Sequence, residues 1–127
     1  MRLVVDTDVL VDVLREYAPA LHWLSAQDTD PIVTGYTALE LYTGCRDAAA
    51  ARGVSALLKD TEIRWATASG CDEMLARYSA LRLKSGLGIV DVLIAQTAIE
   101  AGATLATFNT KHFAAVEGLT VVEPYER

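Results

Sequence analysis

Apolar residues change their spacing along this chain, and the changes divide it into elements. Leu3-Val4-Val5 is an unbroken apolar run, so residues 2–6 read as a buried strand. From Thr7 the pattern turns helical: Val9, Leu10, Val13, Leu14 and Tyr17 fall on one face, and Pro19 is expected to end the run. A second short helix is expected over 21–26, a turn at Asp28-Thr29-Asp30-Pro31, and a short strand at Ile32-Val33-Thr34. Helices over 36–45 and 47–58 follow, the second alanine-rich and expected to break near Gly53. A third strand is read at 62–66, then a long amphipathic helix over 71–84 marked by Met74, Leu75, Tyr78, Leu81 and Arg82. After Gly86 and Gly88 comes a segment over 89–101 that is apolar nearly all round, hence a central helix, with Gly102 closing it. Strands at 104–107 and 120–122 complete the chain. Strands alternating with helices predict an α/β fold with a mostly parallel central sheet covered on both faces.

Composition narrows the class. The 127 residues are 52% apolar, enough for a single domain, 1–127, with a real core and no linker or low-complexity tract. No apolar run reaches the roughly 18 residues of a membrane helix. The first residues do not form a signal peptide, and the two cysteines, Cys45 and Cys71, lack paired spacing. Reduced, buried thiols and a cytoplasmic location are the expectation. The net charge of −6 argues against a protein that coats nucleic acid with a broad basic surface. It leaves room for a nuclease whose acids hold a cation that meets phosphate.

Three acids stand out because their surroundings are apolar. Asp6 ends the first strand, followed at i+2 by Asp8; Glu40 lies in Thr37-Ala38-Leu39-Glu40-Leu41; Asp91 lies in Ile89-Val90-Asp91-Val92-Leu93-Ile94-Ala95. A lone carboxylate is costly to bury unless paired or metal-bound, and the carboxyl edge of an α/β sheet is where ligands bind. Each also has a local explanation. Thr7 or Asp8 can cap the helix that follows, Thr37 and Glu40 match a capping box, and Asp91 suits the first turn of a helix. Asn109 offers a neutral oxygen or shapes a turn; His112 reads as a surface histidine. Thr7 and Thr107 carry hydroxyls able to orient a water or phosphate, or simply to finish their elements. An all-oxygen set suits Mg²⁺, or Mn²⁺, rather than zinc.

Four segments in order carry a family resemblance: Asp6-Thr7-Asp8-Val9-Leu10, Thr37-Ala38-Leu39-Glu40-Leu41, Gly88-x-x-Asp91-Val92-Leu93-Ile94-Ala95-Gln96-Thr97-Ala98, and Gly102-Ala103-Thr104-Leu105-Ala106-Thr107-x-Asn109-x-x-His112-Phe113. From residue 2 to about 123 the chain resembles the PIN domain, in particular the VapC toxins of toxin–antitoxin pairs. The resemblance implies a three-layer α/β/α sandwich and a Mg²⁺- or Mn²⁺-dependent endoribonuclease that hydrolyses RNA with an activated water. It implies Asp6, Glu40 and Asp91 as catalytic metal ligands, with Asp8 and Asn109 as further oxygens. Relatives often carry a fourth acid where this chain has Asn109, which bears on a second metal. The resemblance also implies a homodimer and a VapB-like antitoxin; Leu21, Trp23 and Leu24 are candidates for its groove, or for core packing. Arg46, Arg82, Lys84 and Lys111 are candidates for holding the RNA backbone.

Two other readings compete. Asp6-x-Asp8 after an apolar strand also looks like the nucleophile motif of haloacid-dehalogenase-type phosphohydrolases, with Asp6 as the covalent carboxylate. Alternatively, the chain is a degenerate PIN domain that binds RNA or protein without cutting.

Overall fold

A computed structural model describes residues 2–127. Five short strands, β1 (Leu3–Val5), β2 (Ile32–Thr34), β3 (Glu62–Arg64), β4 (Thr104–Ala106) and β5 (Val121–Val122), form one sheet in the order β3-β2-β1-β4-β5. Every pairing is parallel; Val4 lies beside Ile32 on one side and Leu105 on the other. The expected α/β architecture is therefore present, and the sheet is wholly rather than mostly parallel.

Helices α1 (Thr7–Leu14), α2 (Ala18–Ser25), α3 (Gly35–Thr43), α4 (Ala48–Leu58), α5 (Ala68–Ser85), α6 (Ile89–Glu100) and α7 (Thr110–Phe113) connect the strands. Two apolar clusters result. One gathers Val4, Ile32, Leu105 and Phe113 with Met74 and Leu81 of α5 and Val92, Ile94 and Ala98 of α6. The other gathers Val5, Val9, Leu10, Val13, Val33, Leu41 and Val54 with α1, α3 and α4. Alternate residues of β1 thus face opposite clusters, as a strand covered on both sides requires.

Several boundaries differ from the pattern-based reading. Pro19 does not end α1. That helix stops at Leu14, Glu16 takes φ 58°, and Pro19 sits in the first turn of α2, where its missing N–H costs nothing. The break expected at Gly53 is absent, because an alanine-rich helix absorbs one exposed glycine. Strand β3 is shorter than 62–66, and α7 was not foreseen. Cys45 and Cys71 are free but half-buried. Of the residues that mark the spacing of α5, Met74 and Leu81 are buried, whereas Leu75 is 75% exposed. No helix among the described residues is long and apolar enough to cross a membrane.

Candidate active site

Because all strands run the same way, their carboxyl ends lie along one edge, and the acids found in the sequence collect there. Asp6 follows β1 and is the N-cap of α1. Its Oδ1 accepts from the Thr7 amide at 2.8 Å, and its Oδ2 accepts from the Thr107 hydroxyl at 2.7 Å. Only 6% of Asp6 is exposed. Burial, then the charges of Asp8 and Asp91, push its carboxyl up to about 7 against the opposing bonds from Thr107 and Thr7. The cap is thus Asp6 itself, not Thr7 or Asp8.

Asp8 lies in the first turn of α1 and turns toward the end of β4. Its Oδ2 accepts from the Phe108 amide at 3.0 Å and lies 3.5 Å from the Thr107 hydroxyl. Its Oδ1 is buried without a hydrogen-bond partner. Burial raises the Asp8 pKa, while the Phe108 and Val9 amides and the Arg127 charge pull it down.

Glu40 does not close a capping box with Thr37. The cap of α3 is Thr34, whose hydroxyl accepts from the Thr37 amide at 3.1 Å. Glu40 therefore sits a turn further along, and its Oε1 accepts from the Thr7 hydroxyl at 2.6 Å. The hydroxyls of Thr34, Thr37 and Thr7 form a row leading to this carboxylate, 3.3 and 3.2 Å apart. At Asp91 the local explanation holds: its Oδ2 accepts from the Gly88 amide at 3.1 Å. Its charge still reaches Asp6.

Thr107 is the hub between the strands. Besides touching both aspartates, its hydroxyl accepts from the Asn109 amide at 3.0 Å. The Asn109 side-chain oxygen is engaged by His112 Nδ1 at 2.5 Å, and His112 is exposed, as expected of a surface histidine. Arg46, Lys84 and Lys111 are exposed; Arg82 instead binds the Gly86 and Leu87 carbonyls beyond α5.

Sequence reasoning missed a cluster beside these acids. Asp12, 8% exposed, binds Arg127 through both carboxylate oxygens (3.0 and 3.1 Å) and accepts from the Tyr125 hydroxyl at 2.7 Å. The only local signal was an acid one helical turn beyond Asp8, between Val11 and Val13.

Whether these residues suit a divalent cation can be judged from their chemistry. All candidate donors are oxygens, Asp8 Oδ1 is a buried acceptor without a donor, and crowded acids hold the Asp6 carboxyl high. That set fits a hard cation. Among the described residues, however, no three His, Cys, Asp or Glu side chains already stand as a metal-holding group. Glu40 is turned to Thr7 and Asp91 to its own helix cap, so a cation would have to draw them in.

An all-parallel sheet with acids from its central strand and two helices near the carboxyl edge defines an α/β domain with an acidic site at the end of β1. The chain belongs to the PIN-domain family, whose model matches residues 3–119. Over 122 residues it is 37% identical to Ribonuclease VapC10 of Mycobacterium tuberculosis, covering 92% of this chain and 90% of that protein. Among solved structures, a toxin–antitoxin complex from Klebsiella pneumoniae aligns with a TM-score of 0.76 at 27% identity, covering 98% of this chain and 99% of that one. VapBC2 from Rickettsia felis, bound to a DNA fragment from its promoter, aligns with a TM-score of 0.79 at 21% identity, covering 96% and 98%. At that identity the last likeness speaks for the fold alone.

Proposed function

We propose that this protein is a metal-dependent endoribonuclease, the toxin of a VapBC-type pair. The observation that carries the reading is the burial of Asp6 at the end of the central strand, within the field of Asp8 and Asp91 and linked through Thr107 to β4. The 37% identity to a ribonuclease over nearly the whole chain supports the same reading.

Asp6, Glu40 and Asp91 are the residues that would hold Mg²⁺ or Mn²⁺, with Asp8 Oδ1 as a further oxygen. Asn109 is a weaker candidate, because His112 occupies its amide oxygen. Once bound, the cation supplies polarisation of a phosphoryl oxygen and a more acidic water. The protein's own part is positional. Thr107 and the Thr7 amide fix the two oxygens of Asp6, the Thr7 hydroxyl orients Glu40, and the Gly88 amide holds Asp91. A carboxylate of this set takes the proton from the attacking water, and the phosphodiester opens to a 5′-phosphate and a 3′-hydroxyl. A covalent role for Asp6 finds no support, since the chain belongs to the PIN family.

An antitoxin segment is the partner this reading requires. A groove of about 400 Å³ between α1, α3 and α4 is lined by Val11, Leu14, Leu41 and Val54 and reaches Glu40. An apolar peptide carrying a basic residue suits it, with the cation placed toward the acids. Trp23 and Leu24 pack against the core, whereas Leu21 is exposed and free to join such a contact. For a homodimer, the exposed Leu75 and Ile89, beside a cleft lined by Met74, Tyr78 and Leu93, are the apolar face to cover.

The test pairs cleavage with metal binding. Wild-type protein should cut single-stranded RNA with Mn²⁺ and lose activity in EDTA; Asp6→Asn and Asp91→Asn should fold but not cut. Wild-type cleavage by folded Asp91→Asn, or no Mn²⁺ uptake by calorimetry, would overturn the assignment, the second outcome favouring a degenerate domain.

A further inference from the structure

The segment after β5 returns across α1 and ends against the acids. Tyr125 packs edge-on against the Phe108 ring at 4.9 Å and lies 6.2 Å from the rings of both Tyr17 and Trp23. Its hydroxyl donates to Asp12. Arg127 then makes three kinds of contact with one guanidinium. It grips Asp12 through Nε and Nη2, donates from Nη2 to the Asp8 backbone carbonyl at 3.3 Å, and lies 4.1 Å over the centre of the Phe108 ring. Phe108 is the residue whose amide holds Asp8 Oδ2, and it adjoins Thr107, which holds Asp6. One side chain therefore braces both the helix that carries Asp8 and the loop that orients its carboxylate.

We propose that Arg127, anchored by Asp12 and Tyr125, is a positioning residue for the candidate active site: its guanidinium locks α1 to the 107–109 loop and thereby fixes where the Asp8 carboxylate points. This rests on the ribonuclease reading above. The fork geometry is the argument. A planar guanidinium can satisfy a carboxylate with two parallel bonds while its face covers an aromatic ring, which an ammonium cannot do. Removing the clasp leaves the Phe108 loop free to shift against α1, and small misplacements near reacting atoms carry large rate penalties.

The experiment compares Arg127→Ala, Arg127→Lys, Asp12→Asn and the milder Tyr125→Phe, each checked by circular dichroism and assayed well below its melting temperature on an RNA oligonucleotide that the wild type cuts. Mn²⁺ binding is followed in parallel by calorimetry. Arg127→Ala and Asp12→Asn change the local charge in opposite directions, yet positioning predicts the same outcome. Both should lower kcat roughly tenfold or more with KM within about twofold, and both should weaken Mn²⁺ binding. Arg127→Lys should not rescue, and the double variant should be no worse than the poorer single one. Tyr125→Phe should show a smaller loss of the same kind, and it carries the test if the others do not fold. A rise in KM for Arg127→Ala alone, with Asp12→Asn normal, would make Arg127 a phosphate contact and overturn the proposal. Lower melting temperatures with unchanged kcat and Mn²⁺ affinity would reduce the clasp to a structural tie, overturning it as well. If the wild type cuts no RNA, it is the ribonuclease reading that fails.

Discussion

A single hydroxyl, that of Thr107, stands between the buried carboxylate of Asp6 and the half-buried one of Asp8. It donates to Asp6 Oδ2 and also accepts from the Asn109 amide, so a valine there would leave a buried carboxylate oxygen and a half-buried N–H unserved. Thr107→Val should cost roughly 1–3 kcal/mol in urea denaturation and abolish most cleavage, while Thr107→Ser keeps both. Equal stability of the valine and serine variants would remove Thr107 from its place at the hub. Asp12 offers a pH test. Burial pushes its pKa up, but the Arg127 and Tyr125 bonds and the Arg127 and Arg15 charges outweigh this and hold it below the ordinary value of 3.8. A depressed folded pKa contributes stability that is complete above the unfolded value and fades as pH falls through the folded one. The melting-temperature gap between wild type and Asp12→Asn should thus be widest near pH 6–7 and close below about pH 4. A gap that stays constant to pH 3 would mean that packing, not the ion pair, stabilises the clasp. The contrast between these two residues explains what was legible. Asp6, Glu40 and Asp91 are acids in apolar surroundings, an anomaly visible in any window of the chain. Arg127 meets Asp12 across 115 positions, and no local pattern announces such a pair.

At the level of elements, caps decided more than propensity did. The sequence pattern pointed to Thr37 as the cap of α3; the structure places the cap at Thr34, and that shift of one turn frees Glu40 from its own backbone. The next residue shows why the turn is so tight. A Cβ built on Gly35 would lie 2.1 Å from the Trp65 ring, which packs edge-on against Tyr36 at 5.1 Å. Gly35→Ala must displace that indole. Since Trp65 is 54% exposed, it can yield, and a cost of about 1 kcal/mol is expected. In Trp65→Ala the clash is gone, so adding Gly35→Ala should be neutral or slightly stabilising, as alanine favours a helix. Additive losses in urea midpoints would show that the glycine serves the backbone rather than the ring. The strand cores and helix order were readable from periodicity, because β1, β2 and β4 are buried throughout. Boundaries were not: these strands have only three residues each, and Pro19 reads equally as a stop or as a first-turn residue.

Across the whole molecule, the fold concentrates negative charge where its sheet is most central. The chain carries a formal −6, and the Asp6 carboxyl, pushed up to about 7, loses its proton only against burial and the fields of Asp8 and Asp91. Holding such a carboxylate charged without a cation works against folding. Asparagine at position 6 relieves that cost while keeping the cap, since its side-chain oxygen still accepts from the Thr7 amide and its amide nitrogen can donate to the Thr107 hydroxyl. At pH 8 in EDTA, Asp6→Asn should therefore melt higher than wild type, by roughly 3 °C or more, while losing RNA cleavage. Adding Mn²⁺ should reverse the ranking. A ligand that binds only the folded state stabilises by about 2.7 kcal/mol at a hundredfold excess over Kd, and the wild type alone has the full acid set to gain from it. Differential scanning fluorimetry across a Mn²⁺ series reads both halves at once. If Asp6→Asn were less stable in EDTA and responded to Mn²⁺ as wild type does, the acids would be an ordinary part of the scaffold. The crossing of the two curves is what the proposed metal role of Asp6 requires, since one carboxylate must then both weaken the metal-free protein and hold the added ion.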